Sequence, residues 1–178
     1  MRCLEFHYLF KYSFETVVHA YFQKYTSGKD KNVTSVIVLE HTLDQNTGDE
    51  YIVRRGKCVN VLPSIFNKFL PFPAIEVEEK AWLSRKEKVL QLHSYNITAS
   101  DYVKVEEYST YFPSESNEKW TVMKQKGVIT AFGLGPVFGK MLEAFAVRFF
   151  HHGANKGFNI MEDLLMTMHT TSNCVTEN

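Results

Sequence analysis

The sequence predicts an α+β fold, a seven-stranded antiparallel curved sheet gripped by a long C-terminal helix. Three observations carry this. One short β-rich run and one amphipathic helical run open the chain, and six β-rich runs then follow with turn clusters but no helix between them. From Gly135 onward the hydrophobic period becomes helical. Strands that follow one another without crossover helices pair antiparallel. Such a sheet is solvated on one face and needs helices on the other, so a cavity between sheet and long helix is expected.

Each element has its own local signal. LEFHYLF (4–10) is β-rich, and SFETVVHAYFQKY (13–25) places apolar residues at 14, 17, 18, 21, 22 and 25, a helical period behind an N-cap at Ser13. TSVIVLEHTLD (34–44) and EYIVRRGKCVNV (50–61) flank QNTG (45–48), whose Asn-x-Gly chemistry suits a hairpin turn. AIEVEEKAWL (74–83), KVLQLHSYNIT (88–98), YVKVEEYSTYF (102–112) and KWTVMKQKGVITAF (119–132) are separated by SRKE, ASD and PSESNE, all turn-like. From Gly135 to about Thr170 a stripe of Val137, Phe138, Met141, Leu142, Phe145, Phe149, Ile160, Met161, Leu164, Leu165 and Met168 marks an amphipathic helix. Gly153 and Gly157 interrupt it. At 1.5 Å per residue it is roughly 50 Å long, enough to cross a small sheet. Residues 1–170 are read as one domain and 171–178 as a disordered tail.

Composition narrows the function. Twenty acidic and twenty basic residues balance, which argues against a generic nucleic-acid binder. Cys3, Cys58 and Cys174 are widely spaced, as free thiols are, and fit neither a disulfide framework nor a zinc site. MRCLEFHYLFKYSFE lacks an uninterrupted apolar core of signal-peptide length, and VITAFGLGPVFG (128–139) falls short of the ~20 residues of a spanning helix. A soluble protein is expected.

Several motifs invite chemistry and do not support it. FGLGPVFGK (132–140) runs Gly-x-Gly-x-x-x-Gly, one residue off the dinucleotide fingerprint, with no βαβ unit after it. It reads as a strand-to-helix corner with Pro136 in the first helical turn. Adjacent His151 and His152 point about 100° apart on a helix and cannot share a metal as an i, i+4 pair does. Glu76, Glu78, Glu79, Glu106 and Glu107 read as a solvated sheet face rather than a facing acid pair. With no catalytic constellation, neither an enzyme nor a cofactor or metal site is expected. The basic residues Lys24, Arg54, Arg55, Lys57, Arg148 and Lys156 are either scattered solvated charge or a group converging at a cavity mouth. Converging, they would bind an anionic head group through charge-assisted hydrogen bonds.

The connection LPSIFNKFLPFP (62–73) is unusual, since surface connections are normally polar. Leu62, Ile65, Phe66, Phe69 and Leu70 stand at near-helical spacing among Pro63, Pro71 and Pro73, and Lys68 and Phe72 complete the segment. An exposed apolar patch of this kind suits a membrane or a protein partner.

With KYSFETVVHAYFQKY, DKNVTSVIVLE, EEKAWLSRKEK, VKVEEYSTYF and AFAVRFFHHGANKGFNIMEDLL in this order, the chain resembles the PRELI (MSF1-like) domain family over residues 4 to 168. The resemblance implies a seven-stranded sheet gripped by helices around a lipid-sized cavity. It also implies carriage of phosphatidic acid or phosphatidylserine between membranes of the mitochondrial intermembrane space, and a small disulfide-bonded helical-hairpin partner. Under it, LPSIFNKFLPFP is a lid that meets the anionic bilayer when open. Lys24 takes the deep basic position, Arg148 and Lys156 lie on or beside basic helix positions, and Arg54 and Arg55 are alternatives for one role. The chain departs from the family where Tyr25-Thr26-Ser27-Gly28 replaces Tyr-Pro-Asn-Pro, losing two rigid turn residues. Such cargo is demanding. At about 0.8 kcal/mol per CH₂, two acyl chains of about 16 carbons represent on the order of 25 kcal/mol that a carrier must shield.

Overall fold

The computed structural model describes residues 1–66 and 70–175, with side chains as far as residue 170. Strands β1 (Arg2–Phe10), β2 (Val33–Leu43), β3 (Glu50–Val59), β4 (Ala74–Ser84), β5 (Val89–Asn96), β6 (Val103–Ser114) and β7 (Asn117–Ala131) form one sheet. All neighbours in it are antiparallel, in the order β1-β7-β6-β5-β4-β3-β2. Helix α1 (Phe14–Gln23) joins β1 to β2 and so carries the chain between the two edges of the sheet. Helix α2 (Gly135–Val175) crosses the sheet; its 41 residues run on past Thr170, where the apolar period ends. No helix among the described residues is long and apolar enough to cross a membrane.

Both helices lie on one face. Ser13 Oγ accepts the Thr16 amide at 3.4 Å and starts α1, which buries Phe14, Val17, Val18, Ala20 and Tyr21. These side chains meet Phe10, Leu90, Leu92, Tyr111 and Met123 of the sheet and Ile160, Met161, Leu164 and Leu165 of α2 in one core cluster. A second cluster lies towards the start of α2, where Leu142 packs on Ala99, Val103 and Ile129 together with Phe66 and Leu70 of the connection after β3. The apolar stripe of α2 is wider than its contact with the sheet. Val137, Met141 and Phe149 on its flank are therefore exposed, whereas Leu142 is buried.

The other face of the sheet is solvated. Trp82 and Tyr108 stand on it more than two-fifths exposed, and His93 stacks on Tyr108 with centroids 4.4 Å apart.

Candidate functional site

Strand alternation puts the members of three like-charged doublets on opposite faces. Arg54, Glu79 and Glu107 turn towards the helices, and Arg55, Glu78 and Glu106 turn outward. Cross-strand register then aligns Arg54, Glu79, Ser94, Glu107 and Gly127 directly opposite one another on five successive strands. This polar row crosses the concave floor between the two apolar clusters.

Arg54 and Glu79 are only 6% and 8% exposed. Arg54 Nε and Nη2 both donate to Glu79 Oε1, at 3.1 and 2.5 Å, and Nη1 donates to the Phe22 carbonyl at 3.3 Å. Glu79 Oε2 accepts the Tyr21 hydroxyl at 2.5 Å. Burial works to lower the Arg54 guanidinium, and the Glu79 carboxylate overcomes it and holds the group above its usual value. Burial and the Glu79 charge together push the Tyr21 phenol well up. The pair is therefore locked and charge-neutral, and it leaves no cation over.

Lys24 caps α1 at its C-terminal end and reaches over the same floor. A Cβ on Gly157 of α2 would lie 2.8 Å from Lys24 Nζ, so the absence of a side chain there makes room for the ammonium. Burial alone would lower the Lys24 ammonium. The Tyr25 hydroxyl and the Glu107 carboxylate reverse that and raise it. Glu107 answers from β6: burial raises its carboxyl against the pull of Lys24 and of hydrogen bonds from Gln125 and Ser109, the latter at 3.1 Å. Both Lys24 and Glu107 keep part of their surface accessible.

Partly buried apolar side chains lead from this floor towards the second cluster. Val105 on the floor and Ala146, Val147 and Phe150 on α2 are only partly buried although they face one another across the interior. Phe150 lies against the floor where Gly127 has no side chain; a Cβ there would come within 2.5 Å of the ring. The connection after β3 closes the far end, with Phe66 2% and Leu70 0% exposed but Ile65 50% exposed. Leu62 and Phe72 are half-buried beside them, and Lys68 and Phe69 lie outside the described residues.

The structure brings together only some of the basic residues singled out in the sequence. Lys24 and Arg54 share the concave floor. Arg55 and Lys57 point to the outer face, because β3 alternates: Arg55 donates to Glu78 at 2.8 Å, and Lys57 is exposed. The Arg55 guanidinium and the Tyr95 hydroxyl hold the Glu78 carboxyl low, and Glu78 in turn pushes the Tyr95 phenol up to about 12. Lys156 bonds Asp30 at 2.7 Å and ties α2 to the loop after α1. Arg148 is exposed on the α2 flank beside Phe149. The carboxylates require a correction. Glu79 and Glu107 are not on a solvated face but are the two inward members of their doublets. The alternation itself signals this, since Glu107 shares parity with Val103 and Val105 and Glu79 shares it with Ala81 and Leu83.

A hollow of about 500 Å³ opens between α1 and the β2 edge, with Val18, Phe22, Val36, Val38, Ile52 and Arg54 of the polar row among its walls. No cluster of three or more potential metal ligands occurs among the described residues.

The chain matches the model of the PRELI-like family over residues 15–171. It is 28% identical over 166 residues to Protein slowmo homolog of Dictyostelium discoideum, covering 86% of this chain and 71% of that one. It is 30% identical over 166 residues to UPS-like protein C36.10 of Schizosaccharomyces pombe, covering 93% and 89%. Among solved structures it resembles Ara h 8.0201, with a TM-score of 0.60 at 10% identity, covering 93% of this chain and 98% of that one. It also resembles the Zhui aromatase/cyclase of a Streptomyces species, with a TM-score of 0.55 at 16% identity, covering 90% and 93%. At such identities the two structures speak for the fold alone.

Proposed function

This chain belongs to the PRELI-like family, and from that premise we propose that it is a non-enzymatic carrier. It takes one anionic phospholipid, phosphatidic acid or phosphatidylserine, from one membrane and releases it at another. The observation that carries the reading is Lys24, a cation set over the concave floor at the inner end of an apolar-walled space. The lipid phosphate docks on Lys24 and the acyl chains run towards Phe66 and Leu70. Arg54 keeps the floor in shape, since its charge is already met by Glu79.

The segment from Leu62 to Phe72 acts as the lid. Ile65 on the lid and Val137, Met141 and Phe149 on α2 supply an exposed apolar rim, and Lys140 and Arg148 flank it with positive charge. Such a rim suits an anionic membrane surface. The mitochondrial intermembrane space is the compartment that fits the family, and the disulfide-bonded helical hairpin is its candidate partner.

Transfer of labelled phosphatidic acid and phosphatidylserine between liposomes tests the function. The unaltered chain is expected to transfer at least one of them. Lys24→Glu should lower that transfer about tenfold or more, the range of a lost charge-assisted hydrogen bond, in a chain that still unfolds cooperatively; equal transfer by the variant would remove Lys24 from the site.

A second reading, an interaction protein that keeps the fold, is favoured by the apolar hollow against β2. Val38 there is 60% exposed on an edge strand, a surface open to a partner. Val38→Asp distinguishes the two readings: it should leave liposome transfer intact if the chain is a carrier.

A further inference from the structure

We propose that Glu107 takes the ammonium of a phospholipid head group whose phosphate sits on Lys24, with Gln125 as the second acceptor, so that these two residues select amino-phospholipids; this assignment rests on the carrier reading above.

The charges on the concave floor are the starting point. Arg54 and Glu79 neutralise each other. The two charges that remain are Lys24 from α1 and Glu107 from β6, close enough to shift each other's ionisation. Neutral groups hold each of them. Lys24 Nζ lies over the Tyr25 ring, 4.8 Å from its centroid, and Glu107 accepts from the Ser109 hydroxyl at 3.1 Å. A cation and an anion on one floor, each with part of its surface accessible and not joined in a salt bridge, match a ligand that carries both charges a few ångströms apart.

Gln125 points the same way. It stands on β7 opposite Ser109, on the same face as Glu107, and its Oε1 is buried with no hydrogen-bond partner among the described residues. Buried acceptors without partners are rare and call for an explanation. An ammonium has three N–H donors, enough to bond Glu107 and, after a small turn of the amide, Gln125.

Three head-group chemistries are separated on this basis. A bare phosphomonoester brings only negative charge and is repelled by Glu107. A choline has a positive charge but no N–H to give. Serine and ethanolamine head groups each bring phosphate and ammonium together and satisfy both ends.

The test exposes the purified full chain to liposomes holding equal amounts of phosphatidylserine, phosphatidylethanolamine, phosphatidic acid and phosphatidylcholine. The bound lipid is read by native mass spectrometry. The two amino-lipids are expected to be enriched over phosphatidic acid about tenfold or more, the range of a charge-assisted hydrogen bond, and phosphatidylcholine to be the least bound. Glu107→Gln keeps the shape and removes the charge, and should lower the amino-lipid to phosphatidic acid ratio about tenfold. Gln125→Met removes the acceptor alone and should lower it about threefold, which decides the matter if Glu107→Gln does not fold. Lipid bound with a ratio that neither substitution moves, or a preference for phosphatidic acid or phosphatidylcholine in the unaltered chain, would overturn this assignment and leave the carrier reading standing. No lipid bound from any of the four would overturn both.

Discussion

Two side chains under α1 show how the floor is balanced. Removing one partner of a buried ion pair strands the other charge, at a cost of about 3–5 kcal/mol. Arg54→Met would leave Glu79 with only the Tyr21 hydroxyl at 2.5 Å and the Ser94 hydroxyl at 3.5 Å. Its denaturation midpoint should fall accordingly, whereas Arg54→Met with Glu79→Met should recover much of the loss. Gly157→Ala separates stability from function in the opposite direction. Its Cβ meets only the flexible end of Lys24, and the change from Gly to Ala favours helix by up to about 1 kcal/mol. The variant should melt no lower than the unaltered chain yet bind phospholipid more weakly, because the ammonium is displaced.

The sequence showed that these charges matter but not where they point. A strand's period of two assigns neighbours to opposite faces, and it cannot choose the inner face where both parities are apolar. β3 has that problem, since Ile52 and Val53 are both buried, and so Arg54 and Arg55 could be resolved only by the register with β4. β6 does not have it. Val103, Val105 and Glu107 alternate with Lys104 and Glu106, so the inward carboxylate was legible and was missed.

At the scale of elements, seven strands and two helices follow from the sequence, because the hydrophobic periods and the turn residues that mark them are local in the chain. What periodicity left open is the width of the face that α2 buries. Its stripe continues around the helix to Val137, Met141 and Phe149, which are 66%, 42% and 42% exposed. If this flank docks on membranes, Met141→Asp with Phe149→Asp should reduce co-sedimentation with anionic liposomes several-fold. Stability should change little, because neither side chain is in the core.

The whole molecule carries a pH signature of mixed sign. Glu78, held low by Arg55 and Tyr95, and Glu143, held low by the N-terminal amine, have folded pKa values below the ordinary 4.5. Their contribution is present above that value and is lost as pH falls through the folded values. Burial raises Glu107 instead, so the folded state holds that proton more tightly and stability declines as pH rises from 4.5 through the raised value. The melting temperature should therefore drop steeply on acidification below about pH 4.5. In Glu107→Gln the decline above that value should be reduced, as a comparison of the two melting curves across pH will show.

Sheet, helices and lid have one arrangement in common, a cation over a polar row at the inner end of an apolar space. The most direct test of that arrangement as a carrier site is native mass spectrometry of the unaltered and Lys24→Glu chains after exposure to anionic liposomes. One phospholipid per unaltered chain, strongly reduced in Lys24→Glu, is the expected result. Unaltered protein that emerges without lipid, or equal loading of the two chains, would contradict it.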